Sequence, residues 1–114
     1  MSTISVTPTG SLEYTVSGSD IKVSGTAGVS SSGFSDSIKV INSLVSPDSN
    51  WLTVGENTEG FDSKSSTMSL QIKNVNGVYS AQATGSFNGS TFSTPITITS
   101  TSQGDENKFE EGGA

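Results

Sequence analysis

The sequence predicts an all-β protein that folds as a single antiparallel β-sandwich of about seven or eight strands. Three observations lead to this class. Short segments alternate apolar and polar residues, which is the pattern of strands that bury one face. Turn residues separate these segments at intervals of about 8 to 12 residues. No segment repeats apolar residues at helical spacing over several turns, so no helix is predicted.

The first half of the chain is predicted to hold short strands joined by polar turns. In chain order, we expect an edge strand at 4–6, a turn at 8–10, two strands within 11–27 around a polar reversal at 17–20, a loop at 28–33, a strand at 35–42, a turn at 46–50 and a short strand at 51–54. The polar segment at 55–66 is predicted to be a loop. Its carboxylates Glu56, Glu59 and Asp62 lack the spacing of a calcium-binding loop, so we interpret them as solvated acids.

The clearest strand signal runs from Met68 to Ile98, where two Asn-Gly pairs separate three alternating segments. Asn-Gly favours a two-residue hairpin turn because both residues tolerate the positive φ that a type I′ turn requires. The apolar residues of each segment repeat at every second position: Met68, Leu70 and Ile72, then Tyr79, Ala81 and Ala83, then Ile96 and Ile98. The pattern predicts a three-stranded antiparallel unit that offers one apolar face to a common core.

The charged residues and the missing residue types limit the possible functions. The chain carries a net charge of -6, with five lysines and no arginine, cysteine or histidine. The lysines are scattered and form no basic patch, so we expect no nucleic-acid partner. Without cysteine and histidine there is no disulfide, no thiolate or imidazole zinc site, and no Ser-His-Asp or Cys-His nucleophile. We therefore expect a non-enzymatic protein with no cofactor, no metal site and no catalytic residue.

Two further expectations concern the organisation of the chain. Residues 1–100 are predicted to form the sandwich, and residues 101–114, which are acidic and end in glycines, a flexible tail. No apolar run approaches the length of a membrane span, and the first ten residues lack the pattern of a signal peptide. The sequence therefore predicts synthesis in a cytoplasm, with no leader.

Two segments resemble strands of an immunoglobulin domain. The pattern L-x-I-x-x-V at 70–75, followed by Y-x-A-x-A at 79–83, is similar to the E and F strands of such a domain. The pattern I-x-V-x-G-x-A-G at 21–28 is similar to the B strand. In this resemblance Gly25 and Ala81 stand at the two cysteine positions. The chain thus resembles immunoglobulin-like sandwich domains of the disulfide-free kind, which are common on bacteriophage virions and in bacterial surface arrays.

The resemblance implies structural roles and a function. It implies a core held by packing alone, and it places Tyr79 at a tyrosine corner, with the ring in the core and the hydroxyl bonded to upstream backbone. It implies a phage virion accessory protein, a capsid decoration or tail protein made in the host cytoplasm and displayed on the particle. Two alternatives stay open: a module of a bacterial surface protein or adhesin, and a small carbohydrate-binding protein.

The predicted partner site lies in the loops at one end of the sandwich. In the immunoglobulin arrangement the loop at 28–33 and the turn at 87–90 lie at the same end, and loops at sandwich ends commonly carry recognition. We expect Phe34, Phe87, Asn88 and Gly89 to form a small apolar patch in a polar rim. The expected partner is a capsid or tail protein, a second copy of the chain, or a surface glycan. Trp51 and Phe61 are instead predicted to close one end of the core; the alternative is an aromatic strip with Phe87 and Phe92 that binds a sugar or a partner.

Overall fold

A computed structural model of the chain describes residues 3–61 and 64–101, of which 57–61 and 64–65 are described by their backbone alone. Eight strands lie in two four-stranded sheets with a sandwich-like arrangement, so the predicted all-β sandwich is confirmed. The described residues contain no helix. The strands are β1 (Thr7–Ser17), β2 (Asp20–Ser30), β3 (Ser35–Val45), β4 (Leu52–Phe61), β5 (Lys64–Val75), β6 (Val78–Phe87), β7 (Ser90–Ile96) and β8 (Ile98–Ser100).

The two sheets are built from strands that follow one another in the chain. The first sheet has the order β3-β2-β1-β8, and the second has the order β4-β5-β6-β7. All neighbours are antiparallel except β1 and β8, which run parallel with Leu12 opposite Ile98. The first sheet is therefore mixed at this one pair, because the strand that crosses from the second sheet enters beside β1 in the same direction.

The strand order differs from the immunoglobulin order. In an immunoglobulin domain the B and C strands lie in opposite sheets, as do the E and F strands. Here β2 and β3 are neighbours in the first sheet, and β5 and β6 are neighbours in the second. The residue patterns at 21–28 and 70–83 thus identify strands with an inward face correctly. The connections differ from those of an immunoglobulin domain, because β1 to β3 form one meander and β4 to β7 form another.

The chain crosses between the sheets at one edge of the sandwich. It leaves β7 at Ile96 and enters β8 at Ile98, and the carbonyl of Thr97 accepts a hydrogen bond from the Leu12 amide at 2.8 Å. At the same edge the Ile4 amide donates to the carbonyl of Thr91 at 2.8 Å. The predicted edge strand at 4–6 is reduced to a single bridge beside β7, because the chain turns into the other sheet at residue 7.

Two predicted interruptions are strand instead, and residues 28–30 of the loop predicted at 28–33 belong to β2. The segment Pro8-Thr9-Gly10 was expected to turn, yet β1 runs through it with Gly10 opposite Ala27. The predicted loop at 55–66 belongs largely to the β4–β5 hairpin, in which Glu56 pairs with Ser69 and Phe61 with Lys64. Asp62 and the side chains of Glu59 and Phe61 lie outside the described residues. Strand pairing overrides the weak local pattern in both segments, because backbone hydrogen bonds do not depend on side-chain type.

The turns of the second sheet are confirmed. Asn76 and Gly77 have φ values of 53° and 85°, and Asn88 and Gly89 have values of 51° and 86°. Positive φ at both central residues defines the type I′ turn that the Asn-Gly pairs predict. The predicted reversal at 17–20 is also a two-residue turn, with Gly18 at a φ of 68°.

The core lies between the sheets and draws on the predicted inward faces. Leu12, Val23, Leu70, Ile72 and Ala83 are fully enclosed. The other buried apolar side chains are Ile21, Ala27, Val29, Phe34, Ile38, Val40, Met68, Ala81, Phe92 and Ile96. Aromatic contacts distinguish the two ends of this core. We call the end with the loop at 31–34 and the turn at 88–89 the phenylalanine end, and the end with the turns at 18–19 and 76–77 the tyrosine end.

Candidate functional site at the phenylalanine end

Three phenylalanine rings hold the two predicted loops together. Phe34 and Phe87 stack with their ring centroids 4.4 Å apart and their planes at 10°. Phe34 also meets Phe92 in a tilted contact at 5.6 Å. The structure therefore brings Phe34 and Phe87 to the same end of the sandwich, as the sequence predicts. Such ring pairs contribute about 0.5–1.5 kcal/mol beyond the burial of their area.

The predicted exposed apolar patch is instead the closed end of the core. Phe34 is only 8% exposed and Phe87 is half-buried. The loop is closed by a hydrogen bond from the Ser31 amide to the Phe34 carbonyl at 2.8 Å. Removing the apolar surface of the two rings from water is favourable, so the rings pack against each other although the loop around them is rich in glycine and serine. The two rings thus support the end of the sandwich rather than face solvent.

Polar tips form the outer surface of this end. Ser32 and Gly33 are exposed in the loop, and Asn88 and Gly89 are exposed in the turn. Beside them, the ends of β2 and β3 line a shallow depression of about 460 Å³ with Thr9, Val29, Ser30, Ser35, Asp36 and Ser37. Hydroxyl, amide and backbone groups dominate this surface, so its chemistry is hydrogen bonding to a polar partner. Partner binding by Asn88 and Gly89 stays a prediction.

Tyr79 lies at the opposite end, and its contacts differ from those of a tyrosine corner. It is half-buried, and its ring centroid lies 4.4 Å from that of Tyr14 at an angle of 39°. Within the described part of the chain its hydroxyl makes no hydrogen bond to upstream backbone. The predicted corner is therefore wrong for these residues, because β5 and β6 are joined by a two-residue turn and no long connection crosses between sheets there.

We expect Tyr79→Phe to change the free energy of unfolding by less than about 0.5 kcal/mol, because the hydroxyl has no buried partner to leave behind. Tyr79→Ala removes the contact with Tyr14 and should cost about 2 kcal/mol. Urea denaturation of both variants and of Tyr14→Phe measures these differences. A loss near 2 kcal/mol in Tyr79→Phe would show that the hydroxyl is bonded after all.

Gly25 and Ala81, which the resemblance places at the two cysteine positions, lie in different sheets, Gly25 in β2 and Ala81 in β6. Gly25 lies at a bulge in β2, where the register with β3 shifts between Val23 and Gly25, and its φ is 138°. A Cβ added there would lie 2.4 Å from the carbonyl oxygen of Ser11. Ala81 is buried in β6 opposite Ile72. Gly25 therefore serves a close approach of β1 and β2.

Trp51 is the main feature that the sequence interpretation misplaced. It precedes β4 and is 39% exposed, so it does not close the core. Its ring lies 4.5 Å from the Nζ of Lys73, a cation–π contact on the outer face of the second sheet. The sequence contained the signal, because Val54 packs against the core, and alternation then places Trp51 and Thr53 on the opposite face.

Two further properties concern sites of other kinds. Among the side chains that the structure describes, no three acidic residues come close enough to share a metal ion. In the same part of the chain, no helix has the length and apolar character needed to cross a membrane.

Comparisons with protein-family models, with curated protein sequences and with solved structures found no match to this chain.

Proposed function

We propose that this chain is a non-enzymatic structural or binding module displayed on the surface of a bacteriophage particle, as a capsid decoration or tail protein. The support comes from the two different ends of the sandwich. The phenylalanine end is closed by an aromatic stack and presents polar tips at Ser32, Gly33, Asn88 and Gly89. Such an end suits a display module, because a packed core fixes the position of surface loops whose residues can change without affecting the fold.

The direction of the last strand gives the module a second, separate end. β8 runs parallel to β1, and β1 ends at the turn of the tyrosine end. Thr101 still belongs to the sandwich, because its amide donates to the carbonyl of Tyr14 at 2.8 Å. The chain therefore leaves the sandwich toward the tyrosine end. In the proposal, residues 102–114 attach the module to the particle while the phenylalanine end faces outward.

The proposal is tested on the particles of the phage that encodes the chain. After purification in a density gradient, the protein should be found in the particle band by mass spectrometry. A variant that lacks residues 102–114 should have an unchanged melting temperature, because the sequence of this acidic segment shows no apolar alternation, and should be lost from the particles. Particles that never contain the full chain would contradict the proposal.

A bacterial surface or adhesin module is the alternative, because it would use the same two-ended arrangement. Fractionation of the producing cell distinguishes the two functions. A virion protein is found in the released particles, whereas a surface module is found in the cell envelope of an uninfected bacterium. Finding the chain in the envelope without any particle would favour the alternative.

A further inference from the structure

The outer face of the second sheet carries an ordered row of amides and hydroxyls. Thr53, Gln71, Gln82 and Pro95 are direct neighbours across β4, β5, β6 and β7. The Nε2 of Gln82 donates to the Oε1 of Gln71 at 2.7 Å, and the Nε2 of Gln71 donates to the Oγ1 of Thr53 at 3.3 Å. The hydrogen bonds fix the amide orientations before any ligand binds, which lowers the entropic cost of binding.

The neighbouring row adds an exposed aromatic ring and a positive charge. Lys73 pairs with Ser80 across β5 and β6, and its ammonium group lies over the ring of Trp51. Among the described residues, Lys73 forms no ion pair with a carboxylate. An exposed indole is unusual because tryptophan is mostly buried on average. The cation–π contact holds both side chains at the surface in one arrangement.

A shallow groove of about 360 Å³ lies between these rows. Its lining includes Trp51, Lys73, Ser80, Gln82, Ser93 and Pro95. The volume falls within the range of roughly 300–1,000 Å³ that is typical of small-molecule sites. The lining contains one cation and no carboxylate, although the chain as a whole has a net charge of -6. The groove thus offers one positive charge to a ligand and lines it with no carboxylate.

We propose that this groove binds an acidic oligosaccharide, with a uronic-acid carboxylate paired to Lys73. The apolar C–H face of a pyranose ring fits Pro95 and the part of the Trp51 ring that Lys73 does not cover, and its hydroxyls match the amide of Gln82 and the neighbouring serine hydroxyls. The ammonium group supplies a charge-assisted hydrogen bond to the carboxylate. A protein partner fits less well, because the apolar lining is limited to Trp51, Pro95 and the small Ala81, whereas protein interfaces have a larger apolar centre.

The inference does not depend on the proposed display on a virion, because it uses residues on a sheet face and not those of either end. Trp51 is the only tryptophan of the chain, so its fluorescence reports directly on the groove. The probes are galacturonic-acid tetramers and the same tetramers with methyl-esterified carboxylates. We expect saturable changes in fluorescence with the acid form at millimolar concentration or below. The esters, which lack the charge, should bind about tenfold more weakly.

Variants separate this site from nonspecific attraction. Lys73→Met keeps the aliphatic stem without the charge and should weaken binding of the acid tetramer about tenfold. Trp51→Ala should abolish binding in calorimetry. The matched control is Lys22→Met, which removes an exposed lysine from the outer face of the other sheet and should leave binding unchanged. Circular dichroism tests whether each variant is folded. If Trp51→Ala does not fold, the binding affinity of Lys73→Met alone tests the site.

Several outcomes would overturn the inference. One is no change in Trp51 fluorescence with acid tetramers up to about 10 mM, where even weak sites are occupied. Equal binding of the acid and ester forms would show that the carboxylate is not paired to Lys73. Unchanged binding by Lys73→Met would show the same. Fluorescence that changes with protein concentration alone, together with dimers in sedimentation, would show that a second copy of the chain covers the groove instead.

Discussion

Phe34→Ala is expected to lower the free energy of unfolding by about 3–4 kcal/mol, the typical cost of truncating a buried phenylalanine. Phe34 is 8% exposed and contacts both Phe87 and Phe92, so its removal leaves a cavity at the phenylalanine end. Burial and ring contacts are lost together. Urea denaturation monitored by circular dichroism measures the change.

Ser32→Ala in the same loop is the matched control for Phe34→Ala. Ser32 is exposed, and its replacement should change the free energy of unfolding by less than about 0.5 kcal/mol. A cost below about 1 kcal/mol for Phe34→Ala would mean that the ring lies in solvent. The phenylalanine end would then be the exposed apolar patch that the sequence alone suggests.

Gly25→Ala is expected to cost about 2–4 kcal/mol, because the new Cβ meets backbone and the φ of 138° strains an L-residue. The nearest atom would be the carbonyl oxygen of Ser11 at 2.4 Å, which belongs to a paired strand and cannot move alone. The clash should separate β1 from β2 locally. Thermal and urea unfolding both measure the loss.

Gly33→Ala provides a control with the same chemical change. A Cβ at Gly33 has no heavy atom within 4 Å, and its φ lies outside the left-handed region. The substitution should be neutral or stabilise by about 0.4–1 kcal/mol through the unfolded chain. Equal costs at Gly25 and Gly33 would contradict the bulge and the close strand approach described for β2.

The strands β5, β6 and β7 are predictable from sequence because their signals are local. Alternation fixes the face of each side chain, and the Asn-Gly pairs fix both turns through the positive φ they tolerate. The β4–β5 hairpin lacks these signals. Residues 56–59 are polar on both faces, so no period marks a strand, and pairing with β5 alone defines it.

Strand order and the burial of loop residues depend on contacts that no local pattern reports. The parallel pairing of Leu12 with Ile98 joins residues far apart in sequence, and alternation gives no partner. Phe34 and Phe87 were expected near each other because their two loops lie at the same end of the sandwich. The burial of Phe34 depends in addition on its stacking with Phe87, which no local pattern predicts. The exposed Trp51 was predictable from its alternation with Val54, whereas its contact with Lys73 depends on the register of β4 and β5.

In the proposed function, the module attaches through the residues after Thr101 and presents the phenylalanine end. Epitope tags test it most directly: one is inserted between Asn88 and Gly89, the other follows Ala114, and antibody binding is measured on intact particles. Exposed turn tips tolerate such insertions. We predict that the antibody reaches the tag at the turn and fails to reach the terminal tag until the particles are denatured. A terminal tag that is accessible while the turn tag is hidden would contradict this orientation.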